Sequence, residues 1–87
     1  MEASGNNNYY ANHRRYRSYK FFFYSAEGHE PPHVHVRRDR ATAKFWLDPV
    51  HVARSRYFSD RELLIVQKII EANREKIMEV WNDHFSD

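Results

Sequence analysis

No cysteine occurs in the chain, which excludes disulfide staples and thiolate metal sites. No apolar run approaches the roughly 18–20 residues that a membrane-spanning helix needs. The polar, asparagine-rich start has no apolar core of the kind a secretory signal requires, so a cytoplasmic protein is the expectation. Internal repeats and an interdomain linker are also missing. With 87 residues the chain makes one small domain, which buries a smaller share of its surface than a larger one. Aromatic side chains make up 16% of it, and each buries enough area to let a small core form.

Charge is distributed unevenly. The net charge is only +2, yet residues 13–56 hold ten Lys and Arg against four acids, while residues 57–87 hold four against seven. A basic first part ahead of an acidic tail suits one face to phosphates or to an acidic partner. Residues 1–15 are poor in aliphatics and aperiodic, and they read as a polar, basic arm ahead of a single domain over 16–87.

Strand signals fill the first half of that domain. RYRSYKFFFYS favours a pleated, half-buried surface and ends at Ala26-Glu27-Gly28. PHVHVRR follows, then a turn near Arg38-Asp39-Arg40, then ATAKFWLD closed by Pro49, then VHVARS as a short fourth strand or extended link. Alternation sets the faces. Tyr19, Phe21, Phe23, Val34, Val36, Phe45 and Leu47 can all point inward. The other face then displays Lys20, Phe22, Tyr24, His33, His35, Arg37, Lys44 and Trp46, a basic and aromatic surface.

The second half reads as helix. Ser59-Asp60-Arg61-Glu62 has capping-box spacing, and Asp60 and Glu62 suit the positive end of the helix dipole. Leu63, Val66, Ile70, Ile77 and Trp81 form an apolar stripe, widened by Ile69 and Val80. The stripe is interrupted at Asn73-Arg74, so a long helix running to about Phe85 bends or splits there. The expected fold is therefore α+β, three to four antiparallel strands packed against that C-terminal helix.

EGHEPPHVHVRR carries three of the six histidines. His33 and His35, two apart on a strand, project from one face with Cβ atoms about 6–7 Å apart. Two such rings can meet at one ion such as zinc, with His29 or Glu30 as third ligand and His51 as fourth. The same pair could share general-acid and general-base duties in metal-independent phosphodiester cleavage, with Arg37, Arg38 and Lys44 steadying the developing charge. Alternatively, Lys20, Phe22, Tyr24, Arg37, Arg38, Lys44 and Trp46 could bind RNA or a partner protein without chemistry, by stacking and phosphate contacts. The plainest alternative is a pair of solvent-facing strand histidines with no further role. The residues alone leave all four readings open.

Pro31-Pro32-His33-Val34-His35-Val36, an aromatic first strand, Lys44-Phe45-Trp46 and a helix with Asn73-Arg74-Glu75 and Trp81 together resemble the small bacterial proteins of domain-of-unknown-function family 4160. Val34 stands where members more often have Phe, and the N-terminal arm is longer than theirs. The resemblance implies His33 and His35 as the functional centre with Pro31 and Pro32 as scaffold. It also implies a toxin–antitoxin-like arrangement with a small cognate partner protein. The resulting expectation is an accessory protein that binds RNA or that partner through its His/Arg/aromatic face. The rival is an enzyme, either a ribonuclease-like toxin or a hydrolase with a metal on His29, His33 and His35.

Overall fold

The computed structural model describes residues 14–16 and 18–85. Among these residues five antiparallel strands lie in sequence order, β1 (Arg14–Tyr16), β2 (Tyr19–Phe22), β3 (His33–Arg38), β4 (Ala41–Leu47) and β5 (Val50–Arg56). Two helices follow, α1 (Asp60–Ala72) and α2 (Arg74–Phe85). The α+β class and the bent C-terminal helix are as the sequence indicates. The sheet gains a fifth strand because the expected first strand is a hairpin, in which Tyr16 pairs with Tyr19. Residues 1–13 of the expected arm lie outside the described residues, and residues 14–16 form β1.

Side-chain parity holds across the sheet. Phe21 pairs with Val36, Val36 with Ala43, and Val34 with Phe45, so these residues share the face covered by the helices. Tyr19, Phe23, Leu47, Val66, Ile70 and Trp81 complete a core in which Val36, Phe45, Leu47, Val66 and Ile70 are fully buried. Fully burying one such side chain stabilises the fold by about 1.5–3 kcal/mol. The hairpin from β3 to β4 turns at Asp39, whose φ of 55° is a conformation that Asp tolerates better than most residues.

The helix break also has a local cause. Asn73 turns its side-chain amide back to the Ile69 carbonyl at 2.8 Å and ends α1. Arg74 then donates from Nε to the Leu47 carbonyl at 2.6 Å, which pins the break to the end of β4. A polar pair interrupts the apolar stripe because it docks on backbone there. At the start of α1, Ser59 accepts from the Glu62 N–H at 3.1 Å, which is one half of the expected capping box. The Glu62 carboxylate meets Arg38 and the Tyr19 hydroxyl, so it ties the helix to the sheet.

Candidate functional site

Between β2 and β3 the chain turns back beside the strand ends, against the last turn of α2. Ser25–Glu27 is a single 3₁₀ turn, in which the Glu27 N–H reaches the Tyr24 carbonyl at 3.1 Å. The Glu30 N–H then bonds the Glu27 carbonyl at 3.1 Å, tightening the next turn. Pro31 and Pro32 extend the chain into β3, where the Leu47 N–H bonds the Pro32 carbonyl at 3.0 Å. Gly28 allows this path because a Cβ there would lie 2.2 Å from Cδ1 of Phe85. The end of α2 thereby presses on the turn that carries Glu27.

That turn delivers Glu27 to both histidines. Nε2 of His33 and Nε2 of His35 each lie 2.7 Å from the same oxygen, Oε1 of Glu27. Nδ1 of His33 donates to the Pro31 carbonyl at 2.9 Å. Rings close the surroundings. His35 stacks on Phe22 and meets the edge of Tyr24, and His33 packs against Trp46 and against Trp81 of α2. Beside them, Nζ of Lys44 donates to Oε1 of Glu30 at 2.5 Å and lies over the Trp46 ring.

Electrostatics follow from this packing. Partial burial pushes the Glu27 carboxyl up, but its contacts with His35 and His33 outweigh it and hold Glu27 below its ordinary 4.5. Burial pushes the His35 imidazole below 6.5, overriding the contact with Glu27 that favours its charged form. Lys44 holds the Glu30 carboxyl below its usual range.

The expected outer face is correct in parity and incorrect in exposure. His33, His35, Phe22 and Lys44 point to one side, as alternation requires, yet all four are buried. Glu27, Glu30 and Tyr24 of the turn cover them from one side, and Trp81 of α2 closes on His33. His29, proposed as a third ligand, is exposed, and among the described residues the cluster able to offer donor atoms to one ion is Glu27, His33 and His35, with those atoms within 4.8 Å of one another. His51 lies exposed on β5, with its ring on the Pro49 carbonyl. Arg38 is committed to Glu62 and Lys44 to Glu30, so the structure gives both a partner within the fold.

Lys20 and Arg37 remain on the outer face with Trp46 and Tyr24 half-buried beside it. Two cations that sequence reasoning left out join them. Arg54 and Arg56, opposite Lys44 and Thr42 in the neighbouring strand, are exposed. A bulge at Lys44/Phe45 shifts the register of β5 there, which simple alternation along VHVARS does not reveal. Phe22, Tyr24, His35, Thr42, Arg54 and Arg56 line a shallow groove of about 380 Å³.

A family model described as a domain of unknown function (DUF4160) matches residues 18–82. The chain belongs to that family. The matched span of this DUF4160 protein holds β2 to β5, the Glu27–His33–His35 cluster and both helices up to Asn82. It stops short of Phe85, the residue that packs on Gly28. No curated protein and no solved structure matches the chain. Among the described residues, no helix is long and apolar enough to cross a membrane.

Proposed function

We propose that this DUF4160 domain binds single-stranded RNA along the outer face of its sheet. The observation that carries the reading is the groove beside β5. Its rim holds the exposed guanidinium groups of Arg54 and Arg56, and its wall holds Tyr24 and Phe22. Arg37 extends the cationic surface on β3, and Lys20 extends it on β2. The nearby acids, Glu27 and Glu30, turn toward His33, His35 and Lys44 and away from the arginines. Cations that track a phosphate backbone beside partly exposed aromatic rings are the usual equipment for holding an unpaired strand.

Binding is favoured over metal-independent cleavage by the same histidines. His33 has no exposed surface, and His35, although its ring lines the groove, has its Nε2 engaged by Glu27, so the pair is not free to share acid and base duties at a phosphodiester. A second reading has its own support. Among the described residues β5 is an edge strand, with six of its seven residues exposed, an opening for a strand of an acidic cognate protein, as in a toxin–antitoxin-like pair.

The test is fluorescence anisotropy with a labelled single-stranded RNA, run at several salt concentrations. Affinity should fall steeply between 50 and 200 mM salt, and Arg54→Ala with Arg56→Ala should flatten the log–log slope by about 0.7 for each phosphate no longer neutralised. An RNA affinity unmoved by both salt and the double substitution would reject RNA binding and favour the acidic protein partner.

A further inference from the structure

We propose that Glu27, His33 and His35 form a zinc site that clips the turn between β2 and β3 onto the sheet. Nδ1 of His33 spends its proton on the Pro31 carbonyl at 2.9 Å, and in a neutral ring this leaves Nε2 as a bare lone pair. That lone pair faces Oε1 of Glu27 at 2.7 Å, inside a residue with no exposed surface. Two acceptors do not sit at that distance without a cation between them. Either a second proton on His33 or a metal ion supplies it.

Three further observations favour the metal. His35 aims its own Nε2 at the same oxygen, so three atoms able to ligate a metal converge on one point. The carbonyl contact at His33 is the outer support that metal-ligating histidines commonly have, since it fixes the tautomer with Nε2 free to coordinate. The local charge also calls for a cation. Two carboxylates, Glu27 and Glu30, stand against the single ammonium of Lys44 when both rings are neutral.

Two imidazoles and a carboxylate are a donor set for zinc, whereas calcium and magnesium prefer oxygen. Bonds near 2.0–2.1 Å in tetrahedral geometry put donor atoms about 3.3 Å apart. The 2.7 Å separations must therefore open by several tenths of an ångström. Glu27 can supply this movement, because it is half-buried on a turn and its backbone is not part of the sheet. Three protein ligands leave a fourth position for water or an added ligand. His35 also lines the groove, so the ion would lie at its wall. The inference does not depend on RNA being the groove's occupant.

The experiment uses the full chain, freed of any affinity tag, stripped with a chelator and titrated with zinc chloride in a calorimeter. Cobalt(II) absorption serves as a second readout of coordination. One ion should bind per chain, and zinc should raise the melting midpoint. Glu27→Gln, which keeps the shape of a half-buried side chain, should weaken zinc at least tenfold and abolish most of the thermal shift. His35→Gln should do the same, while His29→Gln and His51→Gln should bind as the parent does. The proposal is overturned by uptake well below one ion per chain, or by parental affinity in Glu27→Gln. Nitrogen-15 spectra showing both His33 nitrogens protonated in saturating zinc would also overturn it, because the second proton would then be the bridging cation. RNA anisotropy of Glu27→Gln separates this site from the RNA reading, since Arg54 and Arg56 are unaltered there.

Discussion

The ring of Phe85 lies against the backbone of Gly28, with Cδ1 only 2.2 Å from the point where a β-carbon would stand. A residue in the last turn of α2 thus fixes the height of the turn that presents Glu27 to the histidines. Gly28 has φ of −65°, so the glycine is required by this close approach and not by its backbone angle.

Gly28→Ala should accordingly destabilise the domain by about 1–3 kcal/mol, the range for overpacking a well-filled site. Phe85→Leu should recover part of the loss, since the smaller side chain vacates the space. Urea unfolding of the two single variants and the double variant checks this. Simple additivity would show that the contact does not limit the turn.

Arg74 and Asp48 make the next prediction, because the two bonds of Arg74 differ in kind. Its Nε donates to the buried end of β4 at the Leu47 carbonyl, 2.6 Å away, whereas its ion pair with Asp48 spans 3.3 Å and Asp48 is largely exposed. Arg74→Met should cost about 1.5–3 kcal/mol, as for a hydrogen bond from a charged donor. Asp48→Asn should cost less than about 1 kcal/mol, as for an exposed pair. Equal losses in chemical denaturation would mean that the ion pair, not the backbone contact, holds the helix break.

The helix break and the sheet parity were both legible in the sequence, and for the same reason. Periodicity at Val34/Val36 against His33/His35, and the polar interruption at Asn73-Arg74, are properties of regular elements. The part of Glu27 was not legible. Its carboxylate reaches the histidines only because a 3₁₀ turn and two prolines reverse the chain, and EGHEPP has no period from which to read that reversal. Alternation placed Phe22 and Lys44 on the outer face but could not say what covers it. Arg54 and Arg56 were missed because their facing depends on a bulge in the ladder.

Burial against the end of α2 also makes an acid-linked prediction for His84. Its imidazole packs on the Phe85 ring and burial pushes it below the ordinary 6.5. The folded chain therefore takes up this proton later than the unfolded chain as pH falls. The resulting stabilisation is full above about 6.5 and is lost as pH drops from there through the folded value. Proton NMR should give His84 a midpoint below 6.5, and His84→Gln should flatten the slope of stability against pH just below that value. A midpoint above 6.5 would show that the C-terminal helix dipole, which favours the charged ring, outweighs the loss of water.

Lys44 and Arg54 are opposite each other across β4 and β5, and the sequence assigns phosphate contact to Lys44 and leaves Arg54 out. Their surroundings separate them. Lys44 also lines the groove but is buried there, bonded to Glu30 at 2.5 Å and seated over Trp46, so its charge is already paired within the fold. Arg54 is exposed at the groove rim, where its charge is available to a ligand. Lys44→Met should lower stability by about 1–3 kcal/mol, because it leaves the Glu30 carboxylate without its donor, yet leave the salt slope of RNA binding unchanged. Arg54→Ala should leave the urea midpoint near the parent value and reduce that slope by about 0.7. If the two substitutions exchange these effects, the cationic face is built around Lys44, and the ion pair with Glu30 must open when the ligand binds.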